Sequence, residues 1–292
     1  MKIAIFGKSY SEEHRPYIKQ LIRRLEEHKC GLIIYRSFLE SLPSDISFEN
    51  TPETFSGHEE IRDSVDFLFS IGGDGTLLDT ITLVQDSGIP VLGINLGRLG
   101  FLSSISKDKI DLAIKQLIRK EYSLDQRSLV RLETPDKIFG KLNYALNEIS
   151  IYRKNPFTML TIEAYINGDF LNSYWADGLI IATPTGSTAY SLSTGGPIIV
   201  PGSSNLVITP IATHNLTVRP VVIPDTSVIT IKVVGRNREF YVGLDSRSAV
   251  FDSSVELTIK KEAFKINLLK MEGEHFFRTI REKLMWGLDI RN

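Results

Sequence analysis

The feature that most narrows the fold is an alternation near the N-terminus. Short apolar runs of strand length take turns with stretches whose apolar residues recur three and four apart. Residues 2–6, 32–35, 65–71 and 90–94 are the short runs, and 65–71 is almost continuously apolar. Between them Tyr17, Ile18, Leu21, Ile22 and Leu25 follow helical spacing, as do Leu77, Leu78, Ile81 and Val84, and then Ile110, Ala113, Ile114, Leu117 and Ile118. Pro16 suits a first helical turn, and Gly31 and Gly88 are expected to end helices. Buried strands alternating with amphipathic helices predict a doubly wound α/β domain, with a parallel sheet covered on both faces. Residues 37–63 are polar and turn-rich and read mostly as loop.

After residue 126 the pattern changes. Residues 127–134, 144–152, 159–166, 206–212, 228–234, 239–244, 255–260 and 264–269 read as strands with little but turns between most of them. Asn167-Gly168 predicts a two-residue hairpin, because both residue types tolerate positive φ. Gly235-Arg236-Asn237 is expected to turn a second hairpin, and 275–285 to form a final helix. The length of 292 residues also favours two domains. The expected organisation is an α/β domain over 1–125, rejoined by about 270–292, and a mostly antiparallel β domain over 126–269, with the C-terminal helix returning to the first domain.

Composition excludes some partners. A formal net charge of -1 does not suit a chain that coats nucleic acid or anionic membrane, and no apolar run approaches a membrane span. The single cysteine, Cys30, cannot form an internal disulfide, which points to a reducing, cytoplasmic setting.

The chemistry concentrates in glycine-rich loops. Gly72-Gly73-Asp74-Gly75-Thr76 sits between a buried strand and a helix, where open α/β sheets collect ligands. Gly72, Gly73, Gly75 and Thr76 can offer backbone N–H groups to phosphates, helped by the N-terminus of the next helix. A carboxylate beside phosphates is repulsive unless it binds a metal or takes a proton, so Asp74 is a candidate general base. The plain alternative is a tight turn with Asp74 near the helix cap. A P-loop is ruled out because Lys2 stands where its first glycine belongs, and a Rossmann fingerprint because Leu78 stands where glycine or alanine belongs.

Further along, Asn95, Gly97 and Phe101 belong to a second glycine-punctuated loop that is expected to line the same crevice, or else is a structural turn. Asn147 and Glu148 lie side by side in a strand-like run. A carboxylate facing a core or a cleft needs a partner, and ribose hydroxyls or an adenine amine would serve; a solvated edge strand is the alternative. Asp177 opens the richest segment, which runs through Thr183-Pro184-Thr185-Gly186-Ser187-Thr188-Ala189-Tyr190-Ser191-Leu192-Ser193. Its small hydroxyl residues suit a sugar–phosphate or adenine site, and Tyr190 could stack on a base. His214 reads as a structural histidine, and no residues show metal-ligand spacing.

These motifs, in this order, resemble the NAD kinases. Gly72 to Thr76 matches the family's GGDGT signature, which is shared more distantly by diacylglycerol-type lipid kinases and phosphofructokinases. Residues 95–101 are similar to its N-x-G-x-L-G-F loop, 147–148 to its Asn-Glu pair and 177–193 to its D-G-x-I-x-x-T-P-T-G-S-T-A-Y-S-x-S signature. Residues 208–214 are similar to I-T-P-I-A-P-H, with Thr213 in place of proline. The resemblance implies transfer of the ATP γ-phosphate to the adenosine ribose 2′-hydroxyl of NAD, with Asp74 catalytic. It implies NAD contacts from Asp74, Gly75, Asn147, Glu148, Asp177, Thr188, Ala189, Tyr190, Ser191, Leu192, Ser193 and Ala212. It also implies Mg²⁺ or another divalent cation on the ATP phosphates, and a homo-oligomer, dimer or tetramer. Two positions depart from the pattern: Trp175 stands where a basic residue is common, and Ser246-Arg247 where Gly-Gln follows an aspartate.

Overall fold

The computed structural model describes residues 1–97, 100–103, 105–235 and 238–286. Arg98 and Leu99 of the second loop, and Arg236 and Asn237 of the expected second hairpin, lie outside the described residues. The chain divides into two compact units, Met1–Gln126 with Ile266–Asn292, and Arg127–Lys265.

In the first unit the elements are β1 (Lys2–Gly7), α1 (Arg15–Glu27), β2 (Gly31–Tyr35), α2 (Arg36–Ser41), β3 (Glu53–Phe55), α3 (His58–Ile61), β4 (Phe67–Ile71), α4 (Asp74–Val84), β5 (Val91–Asn95), β6 (Ile105–Ser106) and α5 (Ile110–Ile118). The strands pair in parallel in the order β3-β2-β1-β4-β5, with β6 also beside β5. Every residue of β4 and β5 is buried, as an apolar strand covered on both faces requires. Helix α1 buries Ile18, Leu21, Ile22 and Leu25, the predicted stripe, with Pro16 in its first turn. It ends at Glu27 through Lys29 at φ 55, ahead of Gly31. The helix Phe276–Leu284 closes the chain's described part and buries Ile280.

Residues 37–63 hold more structure than a loop. Phe38 of α2 is buried against Gly7, where a Cβ would lie 2.6 Å from its ring, and β3 adds an edge strand to β2. These pieces are three to six residues long, too short for periodicity to reveal.

The chain continues with β7 (Tyr122–Glu133), β8 (Tyr144–Ala145), β9 (Glu148–Arg153), β10 (Leu160–Ile166), β11 (Asp169–Ala176), β12 (Gly178–Ala182), α6 (Tyr190–Ser193), β13 (Asn205–Ile211), β14 (Val221–Pro224), β15 (Ile229–Val234), β16 (Glu239–Leu244), β17 (Arg247–Asp252) and β18 (Leu257–Met271), of which the start of β7 and the end of β18 belong to the first unit. One antiparallel sheet runs β14-β13-β12-β9-β16-β17. A second antiparallel group runs β11-β10-β15-β18. Inward side chains from both, including Ile149, Ile151, Leu179, Ile181, Ile162 and Ile231, form one core. The Asn167-Gly168 turn forms as expected, at φ 52 and 90. Two expectations change. The runs 255–260 and 264–269 are one fifteen-residue strand. The run 144–152 is broken at Leu146 and Asn147, whose N–H groups bond a side chain instead of a neighbouring strand.

Candidate active site

In the first unit β4 stops at Ile71 and α4 starts at Asp74, so Gly72 and Gly73 carry the turn. Gly72 has φ 150, and a Cβ there would lie 2.4 Å from Thr76 Oγ1. Asp74 is the first helical residue, and its carboxylate reaches the second glycine loop. Oδ2 accepts from Phe101 N at 2.7 Å; Oδ1 accepts from Leu102 N at 3.1 Å and Ser103 N at 2.9 Å. A carboxylate offers about four lone-pair sites, two on each oxygen. The two amides on Oδ1 fill its share, and Oδ2, with one amide, keeps one site.

The second loop therefore cradles Asp74. Gly100 is buried against the carboxylate, and a Cβ there would fall 1.7 Å from Oδ1. Asn95, expected to line a crevice, is buried, and its Oδ1 accepts Gly97 N at 2.8 Å. That bond shapes the loop. Phe101 lies under the Lys283 ammonium, 5.7 Å from its ring centre.

In the second unit Glu148, Asp177 and Tyr190 lie close enough to act on one another, beside a second apolar cluster. That cluster holds Ile180, Ala182, Ile199, Val207 and Ile211, with Tyr152 packed against it. Most hydroxyls of 183–191 turn out to be internal fasteners. Thr183 Oγ1 donates to Leu146 O, Ser187 Oγ to Pro184 O and Thr188 Oγ1 to Thr185 O, while Ser191 Oγ pairs with Thr209 Oγ1 at 2.9 Å. Ser191 is fully buried, so the surface of this loop comes from Thr188, Ala189, Tyr190, Leu192 and Ser193. Gly186 lets the loop lie on the chain at Asn147: a Cβ there would be 2.1 Å from Asn147 O. Thr183 N donates to the same oxygen at 2.9 Å.

Asp177 forms an ion pair with Arg153 of β9, Nη2 to Oδ2 at 3.0 Å. A cation thus accompanies Asp177 although Trp175 replaces the basic residue common nearby. Trp175 is half exposed and packs on His214, with ring centres 4.5 Å apart. Ala212, expected to line the site, is exposed and holds φ 44, a conformation costly for a residue with a Cβ. Asp245, Arg153, Gly100 and Gly186 were not among the expected site residues. Each acts through contacts with residues distant in sequence; Gly100 and Gly186 lie inside quoted motifs and Asp245 precedes the departing Ser246-Arg247, but nothing local shows what they touch.

Glu148 has an unusual environment. Its Oε2 is buried without a partner, and burial, aided by the charge of Asp245, pushes its carboxyl up to about 8. The phenol of Tyr190 is also raised, by burial and then by Tyr152, Asp177 and Glu148, so these groups act on one patch. Between the unfolded value near 4.5 and about 8 the folded chain keeps a proton that the unfolded chain has lost. Glu148 therefore makes the ligand-free protein less stable as pH rises through that window. Glu148→Gln is expected to raise the melting temperature at pH 8, by about 2–4 °C for each kcal/mol relieved, and to leave it unchanged at pH 4. Equal melting temperatures at pH 8 would show that Glu148 is not a buried acid.

Comparison with known proteins decides the family. The ATP-NAD kinase N-terminal domain matches residues 3–122, and the ATP-NAD kinase C-terminal domain matches residues 146–270. The chain belongs to the NAD kinase family. An NAD kinase of Flavobacterium psychrophilum is 48% identical over 294 residues, covering all of both chains, and one of Cytophaga hutchinsonii is 42% identical over 293 residues with the same coverage. Among solved structures, yeast NADH kinase complexed with NADH has a TM-score of 0.88 at 26% identity, over 99% of this chain and 89% of that one. An NAD kinase from Archaeoglobus fulgidus in complex with ATP has a TM-score of 0.76 at 25% identity, over 98% and 99%. The two-domain NAD kinase fold thus accounts for the α/β unit and the antiparallel unit alike.

Proposed function

We propose that Asp74 is the base by which this chain moves the γ-phosphoryl group of ATP to the 2′-hydroxyl of the adenosine ribose of NAD, giving NADP and ADP. Phosphorylation of NAD to NADP, a kinase activity, follows from membership of the family. The observation that carries the role of Asp74 is its carboxylate, held by three amides with one lone-pair site of Oδ2 left over. The hydroxyl oxygen attacks the γ-phosphorus, the bond from that phosphorus to the β,γ-bridging oxygen breaks, and the hydroxyl proton passes to Oδ2. Alignment and charge stabilisation do most of the work in such a transfer. Gly72, Gly73, Gly75 and Thr76 lie at the N-terminus of the eleven-residue α4, whose first-turn N–H groups and dipole favour phosphate.

NAD is held by Asp74, Gly75, Asn147, Glu148, Asp177, Ala212 and the 188–193 loop, in which Ser191 acts through its backbone. Burial, and then the charge of Asp245, favour the protonated form of Glu148, which suits it to donate a hydrogen bond where a carboxylate could only accept one. The kinase and NAD kinase structures solved with NADH and with ATP support a fold suited to both ligand classes. Mg²⁺ or another divalent cation enters on the ATP phosphates and neutralises their charge. Asp74 has one site free, too few to cage a cation, and among the described residues no cluster of three His, Cys, Asp or Glu side chains exists to do so. Among the described residues no helix is long and apolar enough to cross a membrane. We read the setting as cytoplasmic and the active form as a homo-oligomer, dimer or tetramer.

The position of transfer is tested with NAD whose adenosine ribose lacks the 2′-hydroxyl. It is expected to compete with NAD and to receive no phosphate. Phosphorylation of this analogue would place the acceptor at another hydroxyl.

A further inference from the structure

Two side chains at the tip of the β16–β17 hairpin hold one short stretch of backbone from both sides. The strands pair up to Leu244 opposite Arg247, leaving Asp245 and Ser246 as the turn. Asp245 sits at φ 53, which glycine or asparagine would accept more readily. Its carboxylate explains the choice: Oδ2 accepts from Leu146 N at 2.7 Å, and Oδ1 from Asn147 N at 2.8 Å and Glu148 N at 3.2 Å. Asp245 N in turn donates to Glu148 O at 3.2 Å. Two residues on, the Arg247 guanidinium donates to the carbonyls of Leu142 and Tyr144 and lies 5.8 Å from the Tyr144 ring centre. Three amides and two carbonyls of residues 142–148 are thus taken by an anion and a cation two positions apart. The same stretch is broken out of the sheet, so strand pairing does not fix it at Leu146 and Asn147.

We infer that Asp245 and Arg247 are positioning residues that fix Asn147 and Glu148 for the dinucleotide without touching it. This rests on the reading that Asn147 and Glu148 bind NAD. It also gives Arg247, one of the departures from the family pattern, a role inside the protein. Three amides converging on one carboxylate define where the Asn147 and Glu148 side chains begin, and the arginine anchors the approach from Leu142. Asp245 also presses on Glu148 electrostatically, so its charge helps to keep that acid protonated.

The test is steady-state kinetics on the full chain for Asp245→Asn, Arg247→Ala and Arg247→Lys, with Asn147→Ala and Glu148→Gln as direct references. Both references are expected to raise KM for NAD. Asp245→Asn and Arg247→Ala are expected to raise it about tenfold to a hundredfold while KM for ATP stays within about twofold, and Arg247→Lys to recover part of the loss. Asp245→Asn should also shift the pH dependence of KM for NAD to lower pH, because burial, the larger cause, stays while the charge that adds to it in raising Glu148 is removed; Tyr152, Asp177 and Tyr190 remain to act on the patch. If the references raise KM for NAD and the hairpin variants do not, the positioning role is wrong. Equal changes in both KM values that track a falling melting temperature would likewise overturn it, as a merely structural contact. If the references themselves leave KM for NAD unchanged, the assignment of Asn147 and Glu148 is what fails.

Discussion

Asp74→Asn is expected to lower kcat by about 10²- to 10⁴-fold, the usual contribution of a positioned general base. The amide oxygen of asparagine can still accept some of the N–H bonds now made by Phe101, Leu102 and Ser103, so the loop keeps its place. It cannot take a proton from the ribose hydroxyl at neutral pH. The loss is therefore expected in turnover, with NAD affinity within several-fold of the wild type by calorimetry. Loss of binding together with turnover would instead make Asp74 a ligand anchor.

Gly100→Ala is expected to reduce kcat by about a hundredfold with both substrates still bound, the effect of a small misplacement of a reacting group. The obstacle is space: the new Cβ would fall 1.7 Å from Oδ1 and 2.3 Å from Cγ of Asp74. The carboxylate must swing out and leave its three amides. Each such bond contributes about 1 kcal/mol net, more when one partner is charged, so a drop of a few degrees in melting temperature accompanies the loss. Wild-type turnover in Gly100→Ala would mean that the amide cradle does not place Asp74 during the reaction.

What the sequence shows and what it hides divides along contact distance. The strand ending at Ile71, the glycine turn and α4 are legible because burial, turn chemistry and helical spacing agree within a dozen residues. Asn167-Gly168 is legible for the same reason. The break at Leu146 and Asn147 is not: an apolar run reads as a strand, and the carboxylate that takes its amides lies nearly a hundred residues on. The loop at 183–193 stands out by its hydroxyls, yet these mostly fasten the loop to itself and to Leu146, which composition does not show. Asn95 is similar, since its Oδ1 holds the turn at Gly97. The motifs mark the candidate site, and long-range hydrogen bonds decide which of their atoms are already taken.

The most direct test of the account is NADP formation by the purified chain with NAD, ATP and Mg²⁺, followed by coupling to an NADP-specific dehydrogenase. Steady production of NADP, matched one for one by ADP, is the predicted result. No NADP, from protein that still binds NAD and ATP in calorimetry, would contradict it.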